Sequence, residues 1–384
     1  MSALLTPATE AELAETVADA AASHTRLRIR GGGTRSVIGQ AIETDATLST
    51  DRLTGITLYE PGSLNMVVRA GTPLDEVTSA LAAENQQLAF EPMDHRGLLG
   101  SNGTPTVGGM VAAAISGPRR LAVGACRDHL LGVRFVNGRG EVLKNGGRVM
   151  KNVTGLDLAK LMCGAYGTLG ILTEVSLKTL PRPETACTLA FPGLTVAQAT
   201  DLFCAALGTP YEVSGAAWQN GTAYLRLEGF DLQVRNRATQ LQARFRDLDS
   251  DRIEGAGHAA LWRDIRDLTA FQGRDDTLWR LSLKPTDAAL LTSHLHDRLG
   301  AEASLDWGGG LIWLSVPAHH ADPAPVIRDA LAPYGGHATL IRAPEDLRRC
   351  TPVFQPQAPA LARISEGLRA RFDPNHILNP GLMG

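Results

Sequence analysis

Three consecutive glycines, Gly31-Gly32-Gly33, stand directly after the alternating run Leu27-Arg28-Ile29-Arg30, and no other feature narrows the folds open to this chain as much. The alternation reads as a short strand. Bare backbone after a strand permits torsions closed to other residues and leaves N–H groups uncovered. Convergent N–H donors form the concave anion site used to cradle phosphate. Thr34 and Ser36 add hydroxyls, and Gly39 lets the chain turn back. The loop is no standard nucleotide motif. A G-x-G-x-x-G fingerprint needs glycine where Ser36 stands and a helix directly behind it, and G-x-x-x-x-G-K-[ST] is absent.

A second glycine segment makes the phosphate reading stronger. Thr106-Val107-Gly108-Gly109 opens a predicted helix that continues through small and apolar residues to Ser116-Gly117. Free N–H groups and the dipole at a helix N-terminus attract anions, and small residues let a flat ligand approach the backbone. A glycine-rich surface turn competes as the account of the first segment, and tight alanine packing as that of the second. Two such segments in one domain fit a diphosphate with a long organic part better than either fits a turn.

The rest of the N-terminal half alternates strands and helices. Thr9 and Glu12 form a capping box for a helix over residues 9–23, with Leu13 and Val17 on its apolar face. Strands are predicted at 56–59, 65–70 and 88–90. Thr72 as N-cap and Pro73 at the first helical position begin a helix striped by Leu74, Val77 and Leu81. A hairpin over 130–136 and 141–143 turns at Asn137-Gly138, a short helix follows at 157–162, and a strand at 171–180 ends at Pro181 and Pro183. Beyond this boundary, strands at 222–227, 278–283 and 311–316 alternate with helices at 196–207, 232–246 and 287–299. That texture indicates an α+β layer with helices on one face of an antiparallel sheet. A helix at 357–371 precedes the tail, and no internal repeat is visible.

Composition sets limits on function. With 37 Lys+Arg against 40 Asp+Glu and no basic run, the chain is not built around a polyanion. No run of about 18 apolar residues predicts a membrane span, and the N-terminus lacks the pattern of a secretory signal. Five scattered cysteines (Cys126, Cys163, Cys187, Cys204 and Cys350) offer no zinc or iron–sulfur ligand set and suit reduced thiols. The sequons at Asn102, Asn152 and Asn220 then read as chance matches. The expectation is a cytoplasmic protein without a metal site.

In chain order stand Arg30-Gly-Gly-Gly-Thr34, Thr106-Val-Gly-Gly109, Ser116-Gly117, Arg127-Asp128-x-x-Leu131-Gly132-Val133 and Gly164-x-x-Gly-Thr-Leu-Gly170. Together they resemble the PCMH-type FAD domain of the vanillyl-alcohol oxidase and p-cresol methylhydroxylase superfamily. The tail Phe372-Asp-Pro-x-x-Ile-Leu-Asn-Pro-Gly381 is similar to the C-terminal signature of its glycolate and D-lactate dehydrogenase branch. The chain as a whole, including the stretch 336–344, resembles the FAD-binding subunits of glycolate oxidase (glycolate dehydrogenase). The resemblance implies an α+β protein: a two-lobed FAD domain at 1–183, an α+β second domain at 184–345, and a C-terminal segment, 346–384, returning to the flavin. It assigns the FAD pyrophosphate to Gly31, Gly32, Gly33, Thr34 and Ser36. It lines the flavin with Thr106, Gly108, Gly109, Ser116, Gly117, Gly124 and Asp128, puts Ile171 at the adenine end, and brings Asn379 near the flavin edge. Covalent members carry a His in the first loop. None stands here, so the FAD is expected to be noncovalent.

One departure shapes the functional expectation. Related hydroxy-acid dehydrogenases carry His-x-His followed by Gly-Asp-Gly-Asn, a run missing here. His319-His320 and His337 are the nearest histidines, and adjacent residues on a strand face opposite ways. Arg342 and Arg280 are candidate carboxylate ligands, since guanidinium binds carboxylate through paired hydrogen bonds, although both also read as surface residues. The five tryptophans read as core. No catalytic base is assigned. The resemblance implies glycolate oxidation in a hetero-oligomer with a paralogous FAD-containing hydroxy-acid dehydrogenase subunit and an iron–sulfur subunit, peripheral to the inner membrane through that complex. This chain's flavin would serve in electron relay or assembly. The alternatives are a self-sufficient FAD-dependent 2-hydroxy-acid dehydrogenase or alcohol oxidase, and a noncatalytic scaffold.

Overall fold

The structure is a computed structural model, and it describes residues 3–148 and 155–384. Asn152 of the sequons lies outside the described residues. The chain forms two compact units: one of Met1–Ser116, Gly124–Arg182 and Pro356–Gly384, the other of Gly117–Val123 and Pro183–Gln355.

The first unit has two lobes. In one, strands Ala3–Leu5, Ala46–Ser49 and Leu27–Arg30 form a parallel sheet with Ala46–Ser49 in the middle. Helix Glu10–Ala22 is capped by Thr9, whose side chain accepts from Glu12 N, and it lays Leu13, Val17 and Ala20 on that sheet. Each fully buried Leu or Val contributes about 1.5–3 kcal/mol. In the other lobe, five antiparallel strands run in the order Ile56–Glu60, Asn65–Arg69, Ile171–Lys178, Leu130–Val136, Val142–Gly146. Helices Leu74–Ala83 and Val107–Ala112 share a core with them. Glu10 ties the lobes together, accepting from Arg134 Nε at 3.1 Å and from Thr173 Oγ1 at 2.5 Å.

The second unit is one antiparallel sheet of eight strands, and it hides a repeat that the sequence does not display. Its first half runs Thr185–Phe191, helix Val196–Leu207, Gly215–Gln219, Thr222–Gly229, helix Asp231–Arg244, Asp251–Glu254. Its second half runs Thr277–Ser282, helix Ala288–Leu299, Glu302–Asp306, Leu311–Val316, helix Ala324–Leu331, His337–Arg342. Each half is a β-α-β-β-α-β motif with the same internal strand order and its own apolar core. In the sheet the halves meet between Gly215–Gln219 and Glu302–Asp306, where Trp218 pairs with Leu305, and Ser304 Oγ donates to Trp218 O at 3.3 Å.

Other local expectations shift for identifiable reasons. Thr72 does not cap the helix Leu74–Ala83, because its buried Oγ1 accepts from Gly55 N at 2.9 Å; Pro73 stands at the cap instead. The strand expected at 88–90 is Gln86–Gln87, paired with Leu180–Pro181, while Ala89 and Phe90 are buried in the turn after it. His319 and His320 lie in a turn with ring centroids 4.2 Å apart, not on opposite faces of a strand.

Candidate functional site

The two glycine segments meet in the first unit. One cavity of about 110 Å³ is lined by Gly31, Gly32, Gly33, Thr34 and Ser36 from the first, and by Thr106 and Gly109 from the second. Ligand pockets commonly measure roughly 300–1,000 Å³, so this space has room for only one part of a larger molecule.

The glycines do two jobs there. Gly33 has φ +81°, which a side chain resists. Gly31 and Gly32 are not left-handed; their loop packs backbone on backbone against residues 103–106. A Cβ on Gly32 would stand 1.7 Å from Thr104 O, and one on Gly103 would stand 1.9 Å from Gly32 O. Thr104 N donates to Gly32 O at 3.2 Å across that contact. Among the described residues, no hydrogen bond uses the N–H of Gly32, Gly33 or Thr34. Ser36 Oγ donates to Gly33 O at 3.1 Å, closing the loop on itself.

The second segment works differently from the expectation of free helix N–H groups. Val107 N donates to Thr72 O, Gly108 N to Ala70 O at 2.7 Å, and Gly109 N to Thr106 Oγ1 at 3.3 Å. The helix start is therefore stitched to the preceding strand and turn. What it offers the cavity is closeness, through Gly109, Ala112 and Ala113.

Positive charge comes from a residue that the sequence reading missed. Arg35 lies partly buried beside the loop, its guanidinium turned inward with Nε donating to His95 Nδ1 at 3.2 Å and Nη2 to Met93 O at 3.3 Å. Its Nη1 lies 3.6 Å from where a Cβ on Gly109 would sit. Burial lowers its pKa to about 10, so it stays cationic at neutral pH. Arg30 also lines the cavity, and its Nε is buried without a hydrogen-bond partner. Uncommitted N–H groups, an orphaned guanidinium nitrogen and a buried cation form a donor set that suits a diphosphate. An arginine beside a glycine run looks like any surface arginine in sequence, so burial is the only signal that picks out Arg35.

Asn379 reaches this cavity from the tail. Its Oδ1 accepts from Ile29 N and its Nδ2 donates to Tyr166 O, both at 2.8 Å, so the side chain clips the strand before the glycine loop to the turn at Tyr166. Asp373 shapes the approach, accepting from Ile377 N at 3.1 Å and Leu378 N at 2.7 Å; burial pushes its pKa up despite those bonds.

The remaining expected residues lie elsewhere. Gly108 packs on Ala70. Ser116 Oγ accepts from Cys126 N at 2.9 Å, and Asp128 accepts from Ala125 N at 2.8 Å beside left-handed Gly124. Gly117 belongs to the second unit, and Ile171 is buried in the core under helix Glu10–Ala22. In the second unit Arg342 holds loops, donating to Phe271 O at 2.7 Å and Asp276 O at 3.2 Å. No group of three or more His, Cys, Asp or Glu that could hold a metal occurs among the described residues. None of their helices is long and apolar enough to cross a membrane.

Comparison with known proteins gives this geometry a context. The FAD binding domain family model matches residues 1–146. Over 372 residues the chain is 35% identical to glycolate oxidase subunit GlcE of Escherichia coli (strain K12), covering 97% of this chain and 96% of that protein. Over 84 residues, 22% of this chain and 18% of that protein, it is 42% identical to glycolate oxidase subunit GlcD of Bacillus subtilis (strain 168). Among solved structures, 4-ethylphenol oxidase from Gulosibacter chungangensis superposes with a TM-score of 0.73 at 14% identity, over 99% of this chain and 88% of that one. That last likeness establishes the fold alone.

Proposed function

Because this chain belongs to the family of glycolate oxidase subunit GlcE, a family of FAD-binding oxidoreductase subunits, we propose that it serves the oxidation of glycolate, a 2-hydroxy acid, to glyoxylate within a multi-subunit assembly. The convergence of both glycine segments on one cavity carries this reading. The N–H groups of Gly32, Gly33 and Thr34 would hold the FAD pyrophosphate, with Arg35 supplying the counter-charge. Gly109, Ala112 and Ala113 let the cofactor lie against backbone, and Asn379 fixes the tail beside it. No histidine stands in the first loop, so the cofactor is held noncovalently. FAD held here would supply hydride-accepting chemistry, and we infer that in this chain it would serve electron relay or assembly. The partners are a paralogous FAD subunit and an iron–sulfur subunit, and the assembly sits peripherally at the inner membrane.

The purified chain should be yellow, with a flavin absorption spectrum that glycolate alone bleaches slowly under anaerobic conditions and that bleaches rapidly once the partner subunits are added. A folded chain that stays colourless after incubation with FAD overturns the reading. Rapid bleaching of the isolated chain replaces the relay role with self-sufficient dehydrogenation. Arg35→Met should weaken FAD binding roughly 10- to 100-fold, the share of one charge-assisted hydrogen bond, while leaving the far-UV circular dichroism spectrum unchanged. An unaltered flavin dissociation constant in that variant removes Arg35 from the phosphate site.

A further inference from the structure

The two halves of the second unit differ at one matched place. In each, a hairpin follows the second strand and turns on a left-handed pair: Asn220 (φ +50°) with Gly221, and Trp307 (φ +53°) with Gly308. The later hairpin closes down on the helical layer. A Cβ on Gly308 would stand 2.8 Å from Leu207 Cδ1, and one on Gly309 would stand 3.5 Å from Pro285. A Cβ on Gly221 would meet nothing within 4 Å. Beside this open hairpin lies a cleft of about 530 Å³, and its described walls all belong to the second unit. That volume falls in the range of small-molecule pockets, roughly 300–1,000 Å³.

Small residues make the room. Ala197, Ala289, Ala301 and Ala303 line the cleft where helices Val196–Leu207 and Ala288–Leu299 meet the chain entering strand Glu302–Asp306. Trp218 and Phe271 add aromatic walls. The Trp218 ring is pinned, its Nε1 donating to Leu194 O at 2.7 Å, and Phe271 is buried. Arg274 and Glu302 are the only Lys, Arg, Asp or Glu among the described lining residues, and they pair with each other at 2.8 Å. Both charges have partners, so an ionic ligand finds no counter-ion here. The hydrogen-bonding demand is more specific. His296 Nδ1 stands 3.2 Å from Ala301 O. A carbonyl oxygen only accepts, so Nδ1 carries the proton, and Nε2 of the neutral ring is an acceptor. Nε2 makes no hydrogen bond among the described residues.

We propose that this cleft is a further ligand site, and that it takes an uncharged aromatic molecule bearing one hydrogen-bond donor. The ring lies against Trp218 and the alanine methyls, where flat apolar surfaces leave water together. The donor meets His296 Nε2 and fixes the orientation of the ring. None of the glycine-loop residues takes part, so the site stands independently of the flavin reading.

Isothermal titration of the full chain with indole, an uncharged bicyclic ring with one N–H, tests this. The parent should bind one indole per chain whether or not it holds FAD, so the two readings fail separately. 1-Methylindole keeps the ring and lacks the donor, and should bind roughly 2- to 10-fold more weakly, the share of one hydrogen bond. Anionic indole-3-carboxylate should bind more weakly than indole. Ala289→Leu and Ala303→Leu each put a larger side chain into the cleft. Each should weaken indole roughly 10-fold or more, with flavin content and the far-UV circular dichroism spectrum at parental values. His296→Leu should bring indole and 1-methylindole to equal affinity, a change that a merely structural role would not produce. A parent that takes up no indole overturns the site, as does parental affinity in both alanine-to-leucine variants. Equal affinity of the parent for indole and 1-methylindole overturns the assigned ligand class.

Discussion

Gly32→Ala should yield a chain without flavin and with a much lowered melting temperature. The added methyl would sit 1.7 Å from Thr104 O, where real contacts essentially never fall below 3.0 Å, and the obstacle is backbone, which cannot rotate aside. Separating the loop from residues 103–106 dismantles the cradle, an effect of the exceptional class above about 4 kcal/mol. Gly33→Ala is the informative contrast. Its Cβ meets only Arg30 Cδ at 3.6 Å and Ser36 Oγ at 3.8 Å, so the cost is the strain of φ +81°, about 1–3 kcal/mol. That variant should retain flavin with modestly weaker affinity. Differential scanning fluorimetry and flavin-to-protein absorbance ratios measure both; stoichiometric flavin and a parental melting temperature in Gly32→Ala would refute the backbone contact.

Asn379→Ala should be nearly as damaging, from the far end of the chain. Ile29 N and Tyr166 O both lose the bond to Asn379, and a polar group left unsatisfied away from water costs roughly 1–3 kcal/mol. Melting of the first unit should fall by roughly 5–15 °C, with flavin lost on gel filtration. Asn379→Asp keeps the acceptor for Ile29 but sets a carboxylate oxygen against Tyr166 O, so it should fall between the two. If the alanine variant melts with the parent and keeps its flavin, Asn379 is no clip.

The extent to which the sequence discloses this molecule follows from how local each signal is. Helix Val196–Leu207 is legible because Thr195 and Gln198 form a capping box and Phe203 and Ala199 recur on one face. Strand Leu311–Val316 is legible as an apolar run interrupted only by Ser315. Strands Ala3–Leu5 and Ala46–Ser49 are too short to establish a period, and Gly215–Gln219 opens on glycine and alanine with little strand preference. The repeated motif of the second unit resides in strand order, which two unlike sequences share without any matching residue pattern. At the site, bare backbone announces itself in sequence. The commitments of the helix N–H groups at Val107, Gly108 and Gly109 depend on Thr72, Ala70 and Thr106, and only three-dimensional structure reveals which donors remain for a ligand.

The tail that clips the first unit has a consequence for how the protein is made. Leu27 N donates to Ile377 O and Asn379 N to Leu27 O, so Pro356–Gly384 extends the parallel sheet next to the glycine loop. That segment is translated only after the entire second unit. At ~5–20 residues per second, the ribosome spends roughly 10–35 s on the intervening residues. Throughout that interval the nascent N-terminal portion has an unfinished sheet edge and an unclosed grip. If the clip is needed to hold the cofactor, a chain cut short upstream of Ile377 should stay colourless when incubated with FAD, whereas one that includes Asn379 should take it up.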